Sequence, residues 1–156
     1  MITKLPSLIF WIALFQFVGF ILGKMSRAGI KDWYGALNKS AIHPPNIAFP
    51  VVWSVLYVGL AIVGWKLWNS RGEEWANFSW YIYLVQILMN WAWTPLFFQL
   101  HRVLLSFFWI VMLIILALTL IFFTWEQSKL ILWILTPYTL WLMFAAYLTY
   151  IIWLEN

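Results

Sequence analysis

Few side chains in this chain can do chemistry, and those that matter most are aromatic rings and amides set at helical spacing. Phe49, Trp53, Leu56 or Tyr57, and Leu60 recur every three to four residues and so share one face of a helix. Gln86, Asn90, Trp93 and Phe97 repeat the pattern, and Pro137, Trp141, Phe144 and Leu148 do so again. Rings of this kind stack on flat apolar molecules, and amides give such a surface a few directed hydrogen bonds. Gln86 and Asn90 are costly to present to an apolar solvent, so their face must point inward, to bond other helices or a ligand. The expected chemistry is recognition of a large flat molecule.

Other chemistries lack the residues they need. The chain has no cysteine, which excludes disulfides, thiolate catalysis and Cys-ligated metals. His43 and His101 both fall at loop ends, where an interfacial polar residue is a better reading than a haem or metal ligand, so no metal is expected. No carboxylate pair and no charged residue interrupts the apolar stretches in the manner of a proton relay. No nucleotide, flavin or nicotinamide motif is present, and no cofactor is required. The net charge of +4 is spread over the loops, too thinly for nucleic acid to compete with lipid as a partner.

The elements that must hold these faces follow from composition. With 65% hydrophobic and 9% charged residues, the chain belongs in a membrane. Five stretches approach the roughly 20 apolar residues a bilayer-crossing helix needs: 5–23, 47–65, 80–100, 103–125 and 130–154. Backbone polar groups cannot go unpaired in lipid, so the reading is an all-α membrane protein. It is a five-transmembrane-helix bundle forming a single domain over residues 1–156. The first stretch is too long for a signal-peptide core and is read as a retained span. Its Gly19 and Gly23 allow close packing, either inside the bundle or between two copies. Asn46, Ser79 and Ser128 stand where they can cap the second, third and fifth helices. Pro95 and Pro137 each leave a carbonyl unpaired and open space between helices. The fourth stretch, almost wholly aliphatic, is expected to face mainly lipid.

Residues 24–46 read as a long basic loop whose Trp33, Tyr34 and Leu37 fold it back over the bundle mouth as a lid. Beneath it, a Trp- and Phe-walled cavity suits a porphyrin: a conjugated disc for the rings, and propionates for Arg27, Lys31, Lys39 or His43. Sterols or lipid chains match the apolar half alone. A structural protein whose 14 tryptophans only pack and anchor is the contrasting reading. Basic residues number four on the N-terminal side, counting Lys4, and five on the other. They lean toward a cytoplasmic C-terminus.

The ordered clusters carry a resemblance. Trp33-Tyr34, Lys39, Pro44-Pro45, Phe49, Val52-Trp53, Leu56-Tyr57 and Gly59 are followed by Asn90, Trp93 and Phe97-Phe98. Pro137-Tyr138, Trp141, Phe144-Ala145 and Leu148 then close the pattern, which resembles the translocator protein family. That family is also known as the tryptophan-rich sensory proteins or peripheral benzodiazepine receptors. The resemblance implies a five-helix bundle, often a homodimer, with a pocket under the first long loop that includes Trp53, Trp141 and Ala145. It further implies ligands such as protoporphyrin, haem, cholesterol, and isoquinoline or benzodiazepine drugs, and some bacterial members break down porphyrin in light. Thr149 stands where the family usually has Asn, and no basic residue follows Tyr150 as the animal cholesterol motif requires. A bacterial membrane protein that binds tetrapyrroles is therefore expected. The enzyme alternative would use Trp53 and Trp141 as oxidisable donors beside a light-excited porphyrin; the plainer role for both is a stacking wall.

Overall fold

The computed structural model describes residues 5–45 and 47–156. It contains five long helices: α1 (Leu5–Asp32), α2 (Ala48–Asn69), α3 (Glu74–Phe98), α4 (Val103–Thr124) and α5 (Lys129–Glu155). A short 3₁₀ turn, Tyr34–Ala36, lies between α1 and α2, and no strand forms among the described residues. α1, α2, α4 and α5 are each long and apolar enough to cross a membrane. Their outer faces carry large apolar side chains, with Phe10, Phe17, Phe108, Phe122 and Trp133 all well over half exposed. An exterior of this kind suits lipid, and the chain is an integral membrane protein.

Local chemistry explains the helix limits. Pro50 falls in the first turn of α2, where backbone N–H groups have no partner inside the helix, so its missing donor costs nothing. The α2–α3 turn relies on Gly72, whose φ of +111° suits a residue without Cβ. His101 takes φ +52° in the tight α3–α4 turn, an uncommon setting for a side-chain-bearing residue. α1 differs from expectation, running through Asp32 rather than stopping at Gly23. Lys24, Arg27 and Lys31 therefore ride on a helix, and the lid proper begins near Trp33. Ser79 is not a cap: α3 starts at Glu74, and Ser79 donates to the Trp75 carbonyl one turn back. Ser128 holds the N-cap position of α5 without a side-chain cap bond, and Asn46 lies outside the described residues. α3 and α5 continue through Pro95 and Pro137.

α4 packs most extensively on α5 and α3, while α1 packs on α2 and α3. α4 faces lipid on one side only; Ser106, Ile110, Leu113, Ala117, Leu120 and Thr124 form a buried stripe along the other. Two glycines set the α1–α2–α3 seams. A Cβ on Gly19 would strike the Tyr57 ring at 2.6 Å, so Gly19 packs inside the bundle. A Cβ on Gly29 would meet the Phe98 carbonyl at 2.9 Å, which holds the end of α1 against the end of α3. The half of the bundle away from the lid is solid. Leu60, Val63, Leu67, Ala117, Ile131 and Leu135 are all essentially inaccessible there. Below them Trp80 meets Trp11 and Trp68 edge to face at 6.0 and 5.3 Å, with Trp11 and Trp68 tilted at 6.5 Å, and the Arg71 guanidinium lies 3.1 Å over the Trp68 ring.

Candidate functional site

The lid-side half encloses a cavity of about 720 Å³. α2 contributes Phe49, Trp53 and Tyr57 to its wall, and α3 contributes Asn90, Trp93 and Phe97. Trp141, Ala145 and Leu148 come from α5, and Tyr34 from the lid. These ten expected residues are brought together because each helix turns the same three-to-four-residue face inward. Arg27 and Lys31 also reach the wall, joined by Lys24 one turn earlier. Among the described residues no Asp or Glu lines the cavity, so its electrostatic character is cationic on the α1 side.

Other expected residues sit elsewhere, each for a visible reason. Trp33 stacks on His101 at 4.2 Å and meets Phe97 edge-on at 5.4 Å, fastening the lid to the α3–α4 turn. Leu56 packs into the core, and Phe144 lies 5.8 Å from the Trp141 ring, off the cavity wall. Gln86 lies one turn below the cavity floor and is bonded to Tyr138. Lys39 donates to the Leu37 carbonyl at 2.8 Å and to the Gly35 carbonyl at 3.3 Å, above the Tyr34 ring, so its charge is used within the lid.

A face of α1 was not anticipated. Gln16, Gly19, Gly23 and Ser26 line the cavity at spacings of three and four. Small and polar residues at that period were the available signal. Ile110 and Leu113 of α4, and Thr94 and Thr149, also line it. Thr149 directs its hydroxyl to the Ala145 carbonyl at 2.8 Å, so its hydrogen bond stays within its own helix.

Two polar features define the interior. The Tyr57 hydroxyl donates to Asn90 Oδ1 at 3.2 Å, and Asn90 Nδ2 donates to the Tyr138 hydroxyl at 3.0 Å. This chain ties α2, α3 and α5 together at the cavity floor. Trp141 Nε1, on a cavity-lining residue, is buried with no hydrogen-bond partner among the described residues.

The lid is latched by Tyr34, whose hydroxyl donates to His43 Nε2 at 2.5 Å. Burial pushes the Tyr34 hydroxyl up to about 12, so it stays a donor. Burial and the nearby Lys39 charge hold His43 below the usual imidazole range, against a smaller raising effect of its bond to Pro44. A base with a lowered folded-state value gives stability that is complete above its free value, about 6.5. That stability is lost as pH falls below it. Protonation also removes the Nε2 acceptor. The protection factors of residues 34–43 in vesicles, that is exchange rates corrected for their intrinsic pH dependence, are therefore expected to fall as pH drops below about 6.5, and His43→Phe should flatten that dependence. Protection factors that do not vary with pH in the parent would remove the latch.

The TspO/MBR family model matches residues 11–154. The chain is 30% identical to the translocator protein of Bos taurus over 156 residues, covering 99% of this chain and 87% of that one. It is 32% identical to the Sus scrofa translocator protein over 126 residues, covering 80% and 75%. It is 29% identical to the tryptophan-rich protein TspO of Bacillus cereus over 126 residues, covering 81% and 82%. Matched along nearly all of its length, with the aromatic faces converging on one cavity, the chain belongs to the TspO/MBR family.

Proposed function

We propose that this chain binds porphyrin-type tetrapyrroles within the membrane, as a sensor, scavenger or translocator. The observation that carries the reading is the cavity. About 720 Å³ falls within the roughly 300–1,000 Å³ of small-molecule sites. Trp53, Trp93, Trp141, Phe49 and Phe97 offer ring surfaces to a flat disc, and Arg27 and Lys31 stand on one side for its carboxylates. The name translocator protein, carried by the mammalian relatives, fits a site that holds cargo within the bilayer.

The same reading makes α3 a fifth span. Its 25 residues extend about 37 Å at 1.5 Å per residue, longer than a hydrocarbon core of about 30 Å. Its lower hydropathy comes from Ser79, Gln86, Asn90 and Thr94, all buried inside the bundle. The C-terminus then lies at the lid end, the more basic end, on the cytoplasmic side.

Titration of the purified protein with protoporphyrin should quench tryptophan fluorescence saturably, beyond a detergent-only control. Arg27 and Lys31 are exposed, so each carboxylate contact is worth at most about 1 kcal/mol. Arg27→Gln with Lys31→Gln should therefore weaken protoporphyrin about tenfold and leave its dimethyl ester unchanged. Quenching no greater than in detergent alone would end the reading.

A further inference from the structure

We infer that the cavity fills sideways from the lipid leaflet at the lid end, through a mouth between α1 and α2 rimmed by Lys24, Arg27 and Lys31. The matching ligand is an amphiphile with an anionic group on an apolar body. The identity of that ligand rests on the porphyrin reading above; the mouth rests on geometry alone.

Every exposed residue of the cavity lining belongs to α1, to the first two turns of α2 or to Ile47 just before it. Phe20, 61% exposed, faces the gap from α1, and Ile47, 70% exposed, borders it just before α2. Lys24, Arg27 and Lys31 on one side, and Pro50 and Ser54 on the other, are exposed as well. The lining contributed by α3, α4, α5 and Tyr34 is buried or half-buried throughout. A wall exposed on one side only has its opening there. The gap closes downward where Gln16 Nε2 donates to the Ser54 carbonyl at 2.8 Å and Gly19 abuts Tyr57. From Phe20 to Lys31 the α1 edge runs about 16 Å, long enough to admit a flat ring system edge-on.

The lid, by contrast, is fastened on the side away from this gap. Asn38 N–H donates to Asn156 Oδ1 at 3.0 Å and Asn156 Nδ2 donates back to the Asn38 carbonyl at 3.1 Å. Asn38 Nδ2 donates to the Glu155 carbonyl at 3.1 Å, and Ser40 shares a 3.1 Å hydrogen bond with Tyr147. With Trp33 on His101, these bonds attach the lid to α5 and to the α3–α4 turn. Lifting it breaks all of them, whereas the α1–α2 gap needs no bond broken.

Depth assigns the chemistry of the rim. The uncharged part of α1, residues 5–23, covers about 28 Å, close to the whole hydrocarbon core. Lys24, Arg27 and Lys31 therefore emerge at headgroup level, directly above the apolar edge at Phe20 and Gly23. Among the described residues none of the three makes an ion pair, and no acidic side chain lines the gap. An amphiphile in the leaflet would meet the cations with its anionic end and the gap with its apolar body.

The chain has no cysteine, so an Ala145→Cys protein carries a single thiol on the far wall of the cavity. In vesicles, an uncharged bilayer-soluble maleimide is expected to label it. Gly23→Trp should slow that labelling at least tenfold by filling the gap, since nothing lies within 4 Å of a Cβ at Gly23 and the fold should tolerate the ring. Asn38→Ala, which loosens the lid, should not speed it. Labelling indifferent to Gly23→Trp in a protein with unchanged melting, or accelerated by Asn38→Ala, would overturn the mouth. For the rim, Lys24→Gln, Arg27→Gln and Lys31→Gln together should slow protoporphyrin uptake from vesicles about tenfold and leave the dimethyl ester unaffected. Equal slowing of both would overturn the anionic rim. If protoporphyrin does not bind at all while labelling obeys the mouth, the porphyrin reading fails and the mouth stands.

Discussion

Gly64→Val is expected to destabilise the protein by about 2–6 kcal/mol, enough to abolish folded protein in mild detergent. A Cβ at Gly64 would lie inside the contact distance of the Tyr83 hydroxyl and 2.8 Å from Trp11, so α1, α2 and α3 all meet there. Overpacking of this kind costs about 1–3 kcal/mol. The displaced Tyr83 hydroxyl also loses the Leu60 carbonyl, to which it donates at 2.8 Å, and a buried donor without a partner costs about 1–3 kcal/mol more. Gly23→Val is the control, since it adds the same atoms to the same kind of helix where nothing lies within 4 Å. Thermal melts in one detergent should separate the two widely. Coincident melting of Gly64→Val and the parent would show that the three helices do not meet as described.

The second large effect is expected at Asn90. Replacing it by leucine removes the acceptor of the Tyr57 hydroxyl and a donor to Tyr138 in one step, at a site only 4% exposed. A loss of about 2–3 kcal/mol is expected, mostly from the stranded Tyr57 hydroxyl. The partner substitution tests the cause. Tyr57→Phe in the same protein removes the group left without an acceptor, so the double variant should regain about 1–2 kcal/mol over Asn90→Leu alone. A positive coupling of that size is what contacting residues show, while strictly additive losses would mean that the hydrogen bond contributes nothing. Because Asn90 and Tyr57 both line the cavity, porphyrin affinity should fall in Asn90→Leu as well.

How much of this was legible in the sequence depends on the signal each residue sends. The five helices announce themselves through apolar runs bounded by turns. The aromatic walls of α2, α3 and α5 announce themselves through rings three to four positions apart. The end of α1 does not, since Lys24, Arg27 and Lys31 interrupt the apolar run without any residue that stops a helix. What carries the helix on to Asp32 is tertiary: Gly29 seated on Phe98, and Ile30 packed beside the Tyr34–Phe97 cluster. The cavity face of α1 was hidden for a related reason, because Gln, Gly and Ser at helical spacing look like packing residues until a void is found beside them. Gln86 and Asn90 look equivalent in sequence, yet one turn of helix separates the floor of the cavity from the core beneath it. Lys39 and His43 carry suitable chemistry, but their hydrogen bonds are made within the lid, and no periodicity reports that.

The solid half of the bundle limits how a bound molecule could leave. Beneath the cavity floor the buried aliphatic core and the Trp11–Trp68–Trp80 cluster fill the bundle toward the opposite membrane surface. The chamber is a cul-de-sac. A molecule held there is removed from the leaflet without a continuous water file ever joining the two compartments. On the porphyrin reading, exchange of a bound molecule at the open side would need no passage across the bilayer. Passage to the far side would require the plug to repack, a far slower event than exchange at the open side. For a ligand bound as proposed, capture and return to the same leaflet is the exchange that leaves the plug intact.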